Sequence, residues 1–88
     1  MVMSAYKQTD NLDGSFRRIF DKSVDEEELV WHRDRRDRVI DVVSNDGWMI
    51  QFDDQLPVSI NTVTEIPRMV YHRLIKGEGN LILDIIEL

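Results

Sequence analysis

Asp46-Gly47 separates two runs of strand-forming residues, Arg38 to Val43 (RVIDVV) and Trp48 to Asp53 (WMIQFD), and it constrains the fold more than any other local feature. An Asp-Gly pair supplies the positive φ of a tight turn, so Ser44-Asn45-Asp46-Gly47 predicts a hairpin with Trp48 to Asp53 as its return strand. Further strand-like pieces follow the same punctuation. They are Ser15 to Phe20, Glu28 to Arg33, Val58 to Ile60, Thr62 to Ile66 (closed by Pro67), Val70 to Ile75 and Leu81 to Leu88. After residue 15 no window keeps apolar residues at i, i+3, i+4 and i+7 without a breaker, so helix is unsupported. About eight short strands spaced by turns predict an all-β sandwich or barrel. Residues 1–14 are polar and unpatterned and read as an N-terminal arm whose order depends on docking, which leaves 15–88 as a single domain.

Composition narrows the function. The 88-residue chain carries a net charge of -6, which argues against a nucleic-acid binder, and it has no cysteine, which excludes disulfides, thiol nucleophiles and thiolate metal sites. No apolar run is long enough for a membrane span and no basic n-region precedes an apolar h-region, so the expectation is a cytoplasmic protein with neither membrane nor nucleic-acid partners.

Only His32 and His72 supply imidazoles, and both fall in strand-like segments. In a regular strand His32, Asp34, Arg36 and Arg38 share one face, so His32-x-Asp34 projects an imidazole and a carboxylate together. A histidine from a neighbouring strand would complete a 2-His-1-carboxylate set, which suits a divalent transition metal, and His72 is the residue that can do so.

These residues resemble the two motifs of a small single-domain cupin. The first cupin motif runs Gly-(x)5-His-x-His-(x)3-4-Glu-(x)6-Gly. Here His32 stands at its first histidine, Asp34 at the second, Arg38 at the glutamate, and Gly47 closes it two residues late. The second runs Gly-(x)5-Pro-x-Gly-x-x-His-(x)3-Asn, and Pro67-Arg68-Met69-Val70-Tyr71-His72 keeps its Pro and His with Met69 in place of the glycine. The resemblance spans about Glu28 to Leu88 and implies a double-stranded β-helix barrel, or jelly roll, of about eight short antiparallel strands. It is also similar to the 2-oxoglutarate-dependent oxygenases, but the basic residue they need some ten positions beyond the distal histidine is replaced by Ile82.

The resemblance implies a small polar or anionic ligand in the barrel, bound by His32, Asp34, Arg38, Gln51 and His72, beside a metal site that has lost its glutamate. A second arrangement makes the chain a metalloenzyme. There His32, Asp34 and His72 hold Fe, Mn, Ni or Zn, for an oxygenase or isomerase acting on a small organic acid. In a third, the barrel is packed shut and the chain is a structural or accessory dimer. Against metal stands Arg38, whose guanidinium repels a cation and can pair with Asp34; a direct Asp34–Arg38 pair would mark a metal-free network.

Trp31 is expected to pack, Trp48 to pack or line a pocket, and Tyr71 to point away from His72. Gln51 faces the barrel or solvent depending on the phase of its strand. Arg33, Arg35, Arg36 and Arg38 are expected to form a cross-strand charge ladder with Asp25 to Glu28. Leu81 to Leu88 is apolar on both faces, so one face fills the barrel and the other needs cover from the N-terminal segment or a second subunit. Small cupins commonly pair their strands across a two-fold axis, and the resemblance implies a homodimer.

Overall fold

The computed structural model describes residues 5–60 and 63–88. Their strands are β1 (Lys7–Asp10), β2 (Phe16–Phe20), β3 (Arg38–Ser44), β4 (Met49–Phe52), β5 (Val58–Ser59), β6 (Val63–Ile66), β7 (His72–Ile75) and β8 (Leu81–Glu87). A five-stranded sheet in the order β1-β2-β8-β3-β6 accompanies a three-stranded sheet in the order β5-β4-β7, and every pairing is antiparallel. The protein is all-β, as expected, with one turn of 3-10 helix at Glu26–Glu28.

β8 holds the large sheet together because it is apolar on both faces. Its inward residues Leu81, Leu83 and Ile85 are buried, while Ile86 on the outward face is 44% exposed. Phe20, Ile40, Ile66, Trp48 and Ile50 complete the core between the sheets. Trp48 is wholly buried, so it packs, and its indole N–H donates to the Gly79 carbonyl at 2.7 Å.

The hairpin expectation fails at its pairing and succeeds at its turn. β3 bonds to β6 and β8, whereas β4 bonds to β5 and β7, so the two flanking strands lie in different sheets. Gly47 does adopt φ +79°. The Asn45 carboxamide caps the turn by accepting from the Trp48 N–H at 2.9 Å, and the Asp46 carbonyl accepts from the Glu78 N–H at 2.9 Å. A Cβ on Gly77 would run into the Asp46 carbonyl, so the turn lies directly on the glycine loop after β7. Asp46-Gly47 therefore forms a corner that carries the chain between sheets. A β-bulge between Val42 and Ser44 precedes it and bends β3.

Two other expectations change. Glu28 to Arg33 is not a strand: the Asp25 carboxylate caps the short 3-10 turn, and the chain then crosses to the small sheet, touching it at the isolated His32–His72 bridge. The acidic stretch therefore lies opposite no arginine strand, and among the described residues no ion pair joins Asp25 to Glu28 with Arg33 to Arg38. Within the stretch expected as an arm, Lys7–Asp10 adds to the large sheet as edge strand β1, in register with Phe16 to Ile19; residues 1–4 lie outside the described residues, as do 61–62 in the Thr62 to Ile66 piece.

Candidate functional site

His32 and His72 meet because their backbones pair. The His32 N–H donates to the His72 carbonyl at 3.0 Å and the His72 N–H donates back at 2.9 Å. Residues exchanging both bonds project their side chains to the same side, and the two rings lie 4.3 Å apart, centroid to centroid, edge to face. His72 is buried against Phe52, while His32 sits at the exposed rim.

Each imidazole is held in the same way. Nδ1 of His32 lies 3.0 Å from the Val30 carbonyl, and Nδ1 of His72 lies 2.9 Å from the Val70 carbonyl. A carbonyl can only accept, so each Nδ1 carries a proton, which leaves Nε2 as the atom free to act as a ligand when a ring is neutral. Burial, above all, holds the His72 pKa below its ordinary range, against the pull of the Val70 carbonyl; the neighbouring His32 also lowers it.

Asp34 reaches this pair from the loop before β3. Its backbone carbonyl accepts from the Met69 N–H at 2.7 Å, which fastens the loop to the turn after Pro67. Met69 has φ +63°, a left-handed conformation, at the position where the cupin motif has glycine. Oδ2 of Asp34 lies 3.4 Å from Nε2 of His72 and, though buried, has no hydrogen-bond partner. One nitrogen from each histidine and one Asp34 oxygen all lie within 4.8 Å of one another.

Arg38, the first residue of β3, lies 3.3 Å from Asp34 Oδ1 and 3.3 Å from Glu87 Oε1. The pair that would mark a metal-free network therefore exists, but it engages only one Asp34 oxygen. Oδ2 and the buried Arg38 Nε are both left without partners, so the network is incomplete by itself.

These groups form the polar end of a cavity of about 300 Å³ between the sheets, with Ile40, Ile50, Leu74 and Leu83 among its apolar walls. His32, Asp34, Arg38 and His72 all line it. Gln51 does not. It lies opposite Arg73 on β4, on the outer face of the small sheet, where its carboxamide accepts from Arg73 Nε at 3.0 Å. Ile50 and Phe52 take the inward positions, so strand phase decides against Gln51 as a ligand-binding residue. Trp31 is exposed and stacks on Arg73 at 4.8 Å, and Tyr71 is exposed beneath Arg33 at 5.2 Å, so neither belongs to the cavity. Arg36 is exposed because the segment before Arg38 is not a regular strand.

Sequence reasoning missed Arg18, which lines the cavity. The signal was present in Phe16-x-Arg18-x-Phe20, a period-two pattern that places a guanidinium between two inward aromatics.

No family model matches the chain, and no curated protein matches it. Among solved structures it is similar to a cupin-2 domain containing protein from Shewanella frigidimarina, with a TM-score of 0.62 and 19% identity over 100% of this chain and 85% of that one. It is also similar to protein NMB1881 from Neisseria meningitidis, with a TM-score of 0.57 and 21% identity over 94% of this chain and 81% of that one. The likeness shows the fold, a jelly roll. Among the described residues no helix is long and apolar enough to cross a membrane.

Proposed function

We propose that this small cupin fold takes a small organic anion into the cavity between its sheets, beside a divalent metal ion held by His32, Asp34 and His72. The observation that carries the reading is the orphaned Asp34 Oδ2 on the cavity wall, grouped with two imidazoles whose Nδ1 atoms are already turned to backbone carbonyls. A buried carboxylate oxygen without a donor, beside two imidazoles, calls for a cation. Two imidazoles and one carboxylate suit Fe, Mn, Ni or Zn, and backbone carbonyls on both Nδ1 atoms orient the rings as ligand histidines are commonly oriented. When bound, the ion supplies Lewis-acid polarisation of a ligand oxygen. The chain's own residues fix the rings, keep His72 neutral and surround the ligand with apolar walls. At about 300 Å³ the cavity suits a small metabolite.

The Arg38–Asp34 contact favours a second reading, in which the same cavity binds its anion without metal. Protein purified without a histidine tag, stripped and dialysed against each ion, separates the two. About one equivalent of metal supports the first reading, and less than about a tenth of an equivalent for every ion leaves only the second.

We further propose that two chains associate through the outer face of the large sheet. Support comes from Ile82, Ile86, Val39 and Val63, which strand register places on that face, Val63 being 60% and Ile86 44% exposed. Sedimentation equilibrium tests it: a dimer that Ile86→Glu converts to monomer is expected, and a monomeric wild type overturns it.

A further inference from the structure

We propose that Arg18 is the anion anchor of this cavity and that the ligand it selects is a monocarboxylate with an apolar body. The inference deepens the ligand-binding part of the proposed function and is independent of whether metal binds.

Arg18 lies in β2 opposite Leu83, in the inward phase of the strand, whereas Arg17 faces outward and pairs with Asp84 at 2.9 Å. The Arg18 guanidinium is seated on aromatic rings, 4.1 Å from the centre of Tyr6 and 5.2 Å from that of Phe16. Its Nε donates to the Gln8 carboxamide at 3.0 Å, a bond that orients the group without neutralising it. Among the described residues no carboxylate lies within ion-pair distance of it, and its terminal amino groups bond to no acceptor. Arg38 on the same cavity differs, for it is engaged by both Asp34 and Glu87. The two arginines thus have separate tasks, and Arg18 is the one with charge to offer.

A cation on this wall loses hydration that two aromatic faces, one carboxamide and distant carboxylates only partly replace, and burial, above all, pushes the Arg18 pKa down. An entering carboxylate restores the balance through the two-pronged geometry that guanidinium and carboxylate share. One unspent positive charge matches a monoanion better than a phosphate dianion, which needs more donors. The apolar walls, from Leu83, Ile85 and Leu74 among others, accept the remainder of such a molecule.

The test titrates hexanoate, hexanamide and inorganic phosphate into metal-free protein, followed by amide chemical shifts. Hexanoate is expected to saturate, with hexanamide and phosphate at least about tenfold weaker, since only the carboxylate makes a charge-assisted pair while filling the apolar walls. Arg18→Met should weaken hexanoate by about tenfold or more and leave hexanamide unchanged, and Arg18→Lys should fall between. Equal binding of hexanoate and hexanamide to wild type, full hexanoate affinity in Arg18→Met, or no hexanoate binding at all would overturn the assignment. Phosphate binding as tightly as hexanoate would overturn the carboxylate class. The comparison of acid with amide in wild type needs no variant to fold. Metal uptake by Arg18→Met, expected to equal wild type, shows whether the anchor or the metal centre has failed.

Discussion

Oδ2 of Asp34 faces Nε2 of His72 at 3.4 Å, and neither atom carries a hydrogen to share when the ring is neutral and its proton is on Nδ1. The pair is a buried acceptor facing another acceptor, and Asp34 Oδ2 has no other partner. Such a contact costs free energy until a cation or a proton lies between the two. In the proposed reading a metal ion fills that place.

Asp34→Asn tests that relationship directly. The carboxamide keeps the shape but can turn an N–H toward His72 Nε2, supplying the missing donor. Metal affinity should fall by about a hundredfold or more, while the thermal midpoint of the metal-free protein stays within a few degrees of wild type. Isothermal titration with Zn²⁺ or Mn²⁺ and a melting curve check both halves.

Arg38 works against metal through charge and for the apoprotein through pairing. Arg38→Gln removes a cation beside the three ligand atoms and should tighten metal binding by roughly tenfold. It also leaves Asp34 Oδ1 and Glu87 without their partner, so urea unfolding of the metal-free variant should show a loss of about 1–2 kcal/mol.

Met69 holds φ +63° in the turn that fastens Asp34. Glycine adopts that conformation without the Cβ clash but costs more entropy on folding, so Met69→Gly should leave stability unchanged or raise it by up to about 1 kcal/mol. Met69→Val, with a branched Cβ, should lose about 1 kcal/mol or more, because the left-handed region is worst for such residues. Paired urea curves give the contrast.

Arg17, and secondarily Asn11, hold the Asp84 carboxyl below the usual carboxylate range through a two-pronged bond of 2.9 and 3.0 Å. With the folded pKa below the unfolded value, the contribution is fully present above about pH 4 and is lost as pH falls through the depressed folded pKa. Asp84→Asn should therefore be less stable than wild type at pH 6, and the difference should shrink toward pH 2. A gap of constant size across that range would refute the titration.

Much of the fold follows from local chemistry. The alternation in Phe16 to Phe20 and Arg38 to Val43, the two apolar faces of Leu81 to Leu88 and the turn at Gly47 each report what the backbone does within a few residues. The spacing from Pro67 to His72 likewise identified the second histidine, and Met69 takes up the backbone conformation that a glycine would favour there.

Strand partnership was not legible, because a strand's hydrogen-bonding edge is the same backbone whatever the sequence. Nothing in RVIDVV or WMIQFD says that the corner between them changes sheets; that depends on Gly77 packing against the turn and on Gly79 accepting from the Trp48 indole, both from far along the chain. The same non-local pairing brings His32 to His72 across 40 residues, turns Gln51 outward and sets Arg18 on the cavity wall. The amino-acid sequence by itself determined which side chains could do chemistry in this protein. The tertiary structure alone decided which of them share a cavity, since that is set by contacts between segments rather than within them.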